Sequence, residues 1–295
     1  MITAMWSTWY ATSELRGSPR VADAILSRNE CGRAQSIVIA ELSGFPFSVA
    51  ATTGVEEKAR RIAARTHAAR SWMSEAFGFE PQIRVEVLGP EDFAQRAELP
   101  ALGLPHINDE GTMFLAGYAT STFDSSIAET MRYLSAADRS TFVQAYGKPP
   151  NVQTFVDLLS VHELAHTYHM QRGWSFQELW MGELFCNLAL HGYVATHEPA
   201  VLPALVTLPS AAHRMPPEMQ GVTGIEAMGA ENPLTYVWYQ FRLQVAAIRL
   251  WDAGGSALLR EFYDHQLLAA QQDGRADASR LPSAIDSVRV AWPHV

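Results

Sequence analysis

The sequence predicts an α+β fold, with a mixed α/β half in residues 1–150 followed by a helical half in residues 151–295. Short apolar segments of alternating pattern, typical of β-strands, occur in the first half around one long helical segment. Longer segments with helix start and stop signals fill the second half. With 295 residues, of which 48% are hydrophobic and 18% charged, the chain is long enough to bury a core without disulfides.

Turn residues divide the first half into strands and one long helix. A turn at Gly44-Phe45-Pro46 separates two strands, a capping-box pattern from Thr53 to Glu56 opens the helix, and Gly78 ends it. In order, we predict strands at Ser36–Leu42 and Phe47–Thr52, a helix at Val55–Phe77, a strand at Ile83–Leu88, an irregular loop at Gly89–Pro105 and a strand at Thr112–Tyr118. The last strand is expected at the edge of a mixed sheet, beside a cleft.

Helices are predicted from residue 126 to near the end of the chain. Cap patterns at Ser126 and Ser135 indicate two short helices. Asn151 as N-cap and Gly173 as terminating residue delimit a long helix at residues 152–172. The remaining predictions are a helix opened by a capping box at Ser175–Glu178, a Pro-rich separator at Pro199–Pro217, a helix from Asn232-Pro233 to Gly254-Gly255 and a last helix at Ala257–Gln272.

Charge and composition argue against several classes of partner. A net charge of −9 and a pI of about 5.6 do not suit a general nucleic-acid binder or a binder of anionic membranes. The N-terminal residues lack a basic segment followed by an apolar one, and no apolar run is long enough to span a bilayer. Cys31 and Cys186 are too few for a disulfide framework. We therefore expect a cytoplasmic protein without nucleic-acid or membrane partners; the oligomeric state is not indicated.

The segment His162-Glu163-Leu164-Ala165-His166 is an HExxH motif within the long predicted helix. Residues four apart lie on one helix face, so both imidazoles can bind one Zn²⁺. Glu163 lies near the same face and can accept a proton from a water held by the metal without being a ligand itself. The helix is densely apolar around the motif, which indicates burial, and buried His and Glu need partners. The sequence therefore predicts a zinc site.

A catalytic zinc site needs a third protein ligand, and three residues are candidates. His169 falls on the same face, one turn beyond His166. There it would contact a zinc ligand or the substrate, or it would only interact favourably with the helix dipole at the C-terminal end of the helix. Glu178 has an alternative role in the capping box. Glu183 has no such role and lies two turns into the next helix. Asn187, one turn later, is positioned to hold a zinc-bound imidazole by its other ring nitrogen.

HELAH followed by Trp180-Met-Gly-Glu183-Leu-Phe185 resembles the gluzincin metallopeptidases, the group that contains thermolysin and the aminopeptidase N/leukotriene A4 hydrolase family. The resemblance implies a zincin-like two-lobe catalytic domain, His162, His166 and Glu183 as zinc ligands, and Glu163 as general base. In the aminopeptidase branch the ligand glutamate stands in W-x-x-E-G-F-A; here Leu184 replaces the glycine. The Gly-x-Met-Glu-Asn exopeptidase motif of that branch is missing.

A tyrosine is expected to stabilise the negative charge that develops on the carbonyl oxygen. The segment from Tyr239 to Gly254-Gly255 is similar to the aminopeptidase helix that begins with such a tyrosine, and its spacing favours Tyr239 over Tyr236. His213 is an alternative donor, because thermolysin-like sites use a histidine in this role. A peptide would add to the Thr112–Tyr118 edge strand through main-chain hydrogen bonds.

Three functions are compatible with these residues. The first is a zinc metallopeptidase that acts on a peptide or protein substrate. The second is a non-peptidase zinc hydrolase that acts on a small amide or epoxide with the same water chemistry. The third is a catalytically silent zinc-binding protein. Glu163 favours catalysis, since a purely structural zinc site does not need it.

Overall fold

The structure is a computed structural model that describes residues 39–97, 103–121, 123–176, 178–212, 233–273 and 282–291. Its strands are β1 (Ile39–Glu41), β2 (Ser48–Thr52), β3 (Arg84–Leu88), β4 (His106–Ile107) and β5 (Thr112–Ala116). They form one sheet in the order β1-β2-β3-β5-β4. Neighbours β2, β3 and β5 are parallel, and β1 and β4 pair antiparallel at the two edges. The mixed sheet and the many helices agree with the predicted α+β class.

The helices surround this sheet and continue to the end of the described chain. They are α1 (Glu56–Phe77), α2 (Pro90–Arg96), α3 (Asp124–Tyr133), α4 (Ala136–Tyr146), α5 (Gln153–Met170), α6 (Leu179–His197), a 3₁₀ turn (Pro199–Val201), α7 (Leu202–Ala212), α8 (Pro233–Asp273) and α9 (Ser283–Ala291). Within α8, Gly255 has a non-helical conformation at φ 55° and ψ −147°. The helix is therefore broken at the glycine pair where the sequence predicts an end.

Several predicted helix ends are confirmed, whereas the N-caps of α1, α3 and α6 differ from those predicted. At the start of α1 the N-cap residue is Val55, which makes no side-chain cap hydrogen bond, and not Thr53. Gly78 adopts a left-handed conformation after α1, and the Ser135 hydroxyl accepts from the Asp138 N–H at the start of α4. By contrast, α3 begins at Asp124, before the predicted cap at Ser126. At the start of α6 no side chain makes a cap hydrogen bond, and the Glu178 carboxylate instead accepts from the Trp180 indole N–H.

The predicted position of the edge strand is wrong. β5, which corresponds to the predicted strand Thr112–Tyr118, pairs with β3 on one side and with β4 on the other. His106 stands opposite Phe114 and Ile107 opposite Met113. The edge of the sheet is therefore the two-residue β4, which is too short to show an alternating pattern in the sequence.

Two segments predicted to be irregular contain helices. α2 begins directly after Gly89, with Pro90 in the first turn, where its missing N–H has no helical partner in any case. The buried Phe93 ties this short helix to the sheet. α7 lies within the predicted separator Pro199–Pro217 and contains Pro209 in its interior. Prolines in these two segments are therefore compatible with helices.

The hydrophobic core runs without interruption from the sheet into the helices. One cluster of buried side chains includes Ile62 of α1, Val85 and Met113 of the sheet, Leu158 of α5 and Leu188 of α6. α5 contacts β4, β5 and α1 as well as α6. The helix with the HExxH motif thus lies between the edge of the sheet and the helical part of the chain.

Two further observations apply only to part of the chain. None of the helices in the described ranges is long and apolar enough to cross a membrane. Cys31, His213, the cap residue Asn232 and the first residues of the predicted strand Ser36–Leu42 lie outside the described residues.

Candidate metal centre

Two helices bring three potential metal ligands together in the core. His162 and His166 lie one turn apart on α5, and their Nε2 atoms are 3.2 Å from each other. Glu183 lies on α6, with its Oε2 atom 3.1 Å from the His162 Nε2 and 3.8 Å from the His166 Nε2. All three side chains are buried. The three atoms therefore form a compact triangle inside the protein.

The triangle has the size that a tetrahedral zinc site requires. Two ligand atoms that are each about 2.1 Å from one ion, at the tetrahedral angle, are about 3.4 Å apart. The observed separations of 3.1, 3.2 and 3.8 Å lie around this value. Two imidazoles and one carboxylate are also a donor set that Zn²⁺ accepts in catalytic sites. The residues fit a zinc ion without rearrangement of the backbone.

A chain of hydrogen bonds leaves the Nε2 atom of His166 without a proton. The Nδ1 of His169 lies 3.2 Å from the main-chain oxygen of Trp174, which can only accept, so this Nδ1 carries the proton. In the neutral ring the Nε2 of His169 is then an acceptor, and it lies 3.3 Å from the His166 Nδ1. His166 therefore donates through Nδ1, and its Nε2 lone pair points toward the triangle.

A second chain of hydrogen bonds orients His162 and Glu183. Gln240 of α8 donates through Nε2 to the Glu183 carboxylate at 2.7 Å. Its Oε1 accepts from the Asn187 Nδ2 at 3.0 Å, and the Asn187 Oδ1 faces the His162 Nδ1 at 3.2 Å. Because a carboxylate only accepts, the direction of every bond in this chain is determined. His162 thus donates to Asn187 through Nδ1 and presents Nε2 to the triangle.

The ionisable groups of the triangle shift one another's pKa values. Burial alone would lower the pKa of His162, but the hydrogen bond and the charge of Glu183 raise it. Burial lowers the pKa of His166 to about 3. Burial opposes ionisation of Glu183, but the two histidines and Gln240 lower its pKa to about 2. The raised pKa of His162 and the lowered pKa of Glu183 favour an ion pair between these two side chains, and a metal ion bound to the His162 Nε2 would displace its proton.

Glu163 lies beside this triangle and next to the edge of the sheet. Its carboxylate accepts a hydrogen bond from the main-chain N–H of Ile107 in β4. Burial raises the pKa of Glu163 to about 8, with the charge of His162 opposing and the charge of Glu183 adding to the shift. The Glu163 carboxyl group is therefore close to the charged groups of the triangle, but it is not one of the three atoms that form the triangle.

Cys186 offers an alternative donor, which the HExxH motif and its spacing do not indicate. Its thiol lies in a group with His162 and His166 whose possible ligand atoms are all within 4.8 Å of one another. The residue follows Glu183 by three positions on α6 and is buried. The Glu183 Oε2 atom lies 3.1 Å from the His162 Nε2 and 3.8 Å from the His166 Nε2, and the neighbouring histidines lower the pKa of this carboxylate. The described residues thus offer two candidates for a third ligand, Glu183 and Cys186.

Of the two tyrosines, Tyr236 lies next to the triangle of His162, His166 and Glu183, and Tyr239 does not. The Tyr236 hydroxyl is 2.8 Å from the Gln240 Nε2 and interacts with the Glu183 carboxylate. Tyr239 is fully buried, packs edge-on against Trp238 and interacts electrostatically with Arg242. The geometry thus favours Tyr236 over Tyr239, the reverse of the preference drawn from spacing.

The structure groups most of the predicted site residues and adds others. Those brought together are His162, Glu163, His166, His169, Glu183, Asn187 and Tyr236. Gln240 and the Ile107 main chain were missed; the only available signal for Gln240 was its spacing of four residues from Tyr236 on one helix. Comparisons of the chain with protein-family models, curated proteins and solved structures find no match.

Proposed function

We propose that this protein is a zinc-dependent metallopeptidase with a zincin-like catalytic domain, in which His162, His166 and Glu183 hold the ion. The observation that carries the proposal is the convergence of three lone-pair atoms, 3.1 to 3.8 Å apart, beside a glutamate that is not one of them. A structural zinc site has four protein ligands, whereas a catalytic one has three and a neighbouring base.

Glu163 is the proposed general base. A zinc ion in the triangle would lower the pKa of a water molecule and polarise a substrate carbonyl. Glu163 would accept the proton of that water at its carboxylate and then donate it to the leaving amine. The positive charge of the ion would also oppose the upward shift of the Glu163 pKa and keep the carboxylate ionised.

Among the described strands β4 is the last on its side of the sheet, and it is the proposed binding surface for an extended peptide, which would have to displace contacts that now bury His106 and Ile107. The Ile107 N–H points away from β5 and toward Glu163, so the main-chain groups of this edge lie next to the base. A peptide that pairs with β4 would bring its scissile carbonyl toward the triangle. β4 thus replaces Thr112–Tyr118 as the proposed strand-addition site. Tyr236 is the proposed donor to the carbonyl oxygen, because its hydroxyl is already at the centre.

The test compares zinc content and peptide cleavage in the wild type and in Glu163→Gln. We expect one zinc per chain in both proteins, because Glu163 is not a ligand. We expect cleavage of a peptide library to fall by about 10²-fold or more in the variant, since a positioned base contributes a factor of that order. Glu57→Gln, at an exposed glutamate of α1, is the matched control and should cleave like the wild type.

Two results would overturn the proposal in different ways. Unchanged cleavage in Glu163→Gln would refute the assigned base. Hydrolysis of small amides or epoxides by the wild type, without cleavage of any peptide, would refute the peptidase assignment and favour the second predicted function.

A further inference from the structure

We infer that Gln240 is a positioning residue that fixes the orientation of two proposed zinc ligands, the side chains of Glu183 and His162, an inference that rests on the proposed zinc site. Its amide contacts three side chains: the Glu183 carboxylate at 2.7 Å, the Tyr236 hydroxyl at 2.8 Å and the Asn187 amide at 3.0 Å. Gln240 belongs to α8, whereas the ligands belong to α5 and α6. It therefore connects a third helix to the centre.

The amide of Gln240 has no hydrogen-bonding capacity to spare on its nitrogen. One N–H is used for Glu183 and the other for Tyr236, while the carbonyl oxygen accepts from Asn187. An inverted amide would place its oxygen against the Glu183 carboxylate and its N–H groups against the Asn187 N–H. Both contacts would be repulsive, so only the observed orientation is stable.

This orientation acts on two ligands at once. The bond to Glu183 holds Oε2 at the corner of the triangle that faces the His162 and His166 Nε2 atoms. The bond from Asn187 keeps the Asn187 oxygen turned toward the His162 Nδ1, which keeps the Nε2 lone pair of His162 directed at the same point. Groups that orient ligands in this way typically contribute 10- to 100-fold to metal affinity.

The experiment measures zinc affinity by competition with a chelator, and the absorption spectrum of the Co²⁺-loaded protein, for Gln240→Met. Methionine has nearly the same shape but cannot donate or accept in the same way. Gln244→Met is the matched control, because Gln244 lies one turn further along α8, is 3% exposed, and has an amide nitrogen without a hydrogen-bond partner in the described residues. Helix content and melting temperature of both variants are compared without metal.

We expect zinc affinity to fall by 10-fold or more in Gln240→Met and by less than about 2-fold in Gln244→Met. The Co²⁺ spectrum should change only in Gln240→Met, because the ligand geometry changes there and a general loss of packing would not produce that difference. Equal effects of the two substitutions on affinity, or an unchanged Co²⁺ spectrum in Gln240→Met, would overturn the inference.

The same measurements separate this inference from the proposed function. If the wild type does not bind zinc, or if His162→Ala and His166→Ala bind it equally well, the zinc site itself is wrong. If those two variants lose zinc while Gln240→Met retains wild-type affinity and spectrum, only the role of Gln240 is refuted.

Discussion

At the scale of single residues, the hydrogen-bond partners of His162 and His166 determine which of their ring nitrogens carry protons. The outer ring nitrogens of His162 and His166 donate to Asn187 and His169, so that both inner nitrogens face the Glu183 carboxylate. Such an arrangement of lone pairs is unstable unless a cation or a proton lies between them. The hydrogen-bond partners outside the triangle are thus as important to the site as the HExxH residues themselves.

His106 of β4 illustrates a different use of a buried histidine. Its Nδ1 faces the Leu104 main-chain oxygen at 3.1 Å, and its ring stacks on Phe114. Burial lowers its pKa to about 4 from 6.5. Between these values the unfolded chain binds more protons than the folded protein, so this contribution to stability is complete above pH 6.5 and decreases as the pH falls toward 4.

We therefore predict that His106 makes the metal-free protein less stable in acid. From pH 7.5 to pH 5 the contribution of His106 to the free energy of unfolding should fall by about 2 kcal/mol. Urea unfolding at both pH values measures this, and His106→Phe, which retains an aromatic ring against Phe114, should show a decrease smaller by that amount. An equal decrease in both proteins would contradict the assigned burial of the neutral ring.

At the scale of elements, the contact between α6 and α8 sets the distance from Glu183 to Gln240. Gly192 of α6 lies beneath Trp251 of α8, and a Cβ atom at this glycine would be 2.3 Å from the indole ring. The absence of a side chain at Gly192 thus permits the close approach of the two helices.

We predict that Gly192→Ala lowers both stability and zinc affinity. The added methyl would push Trp251 and α8 outward, at a cost of about 1–3 kcal/mol in the free energy of unfolding. Because α8 carries Gln240, the shift should also weaken the support of Glu183. Chemical denaturation and chelator competition measure the two effects, with Ala195→Ser on the same helix as control. A stable Gly192→Ala protein with unchanged zinc affinity would show that the close approach is not needed.

The elements also show what the sequence reveals and what it does not. HExxH, the end of α1 at Gly78 and the break at Gly255 are local patterns, and all three were predictable. The edge position of β4 depends on pairing between distant segments, which alternation along one segment cannot show. The choice between Tyr236 and Tyr239 depends on how α8 is rotated against α6, and this is set by tertiary packing.

At the scale of the whole molecule, the predicted boundary near residue 150 crosses a continuous core. Val85 and Met113 before it share one buried cluster with Leu158 and Leu188 after it. The Lys58 ammonium also joins the Ala116 main-chain oxygen at 2.8 Å to the Asp157 carboxylate at 3.0 Å. The two halves therefore share one hydrophobic core and an ion pair.

We predict that the described halves unfold together. Thermal unfolding in the presence of a chelator should give a single transition, with the same midpoint by far-ultraviolet circular dichroism and by tryptophan fluorescence. Two separate transitions would indicate that the halves are independent domains and that the shared core contributes little.

The most direct test of the proposed zinc site is X-ray absorption spectroscopy at the zinc edge on the reconstituted wild-type protein. We expect one zinc per chain with nitrogen and oxygen ligands only, including two imidazoles, and no sulfur. Zinc that does not bind in this ratio would contradict the centre. A sulfur ligand at about 2.3 Å would show that Cys186 occupies the coordination position assigned to Glu183 or to the reacting water, and would contradict the catalytic assignment.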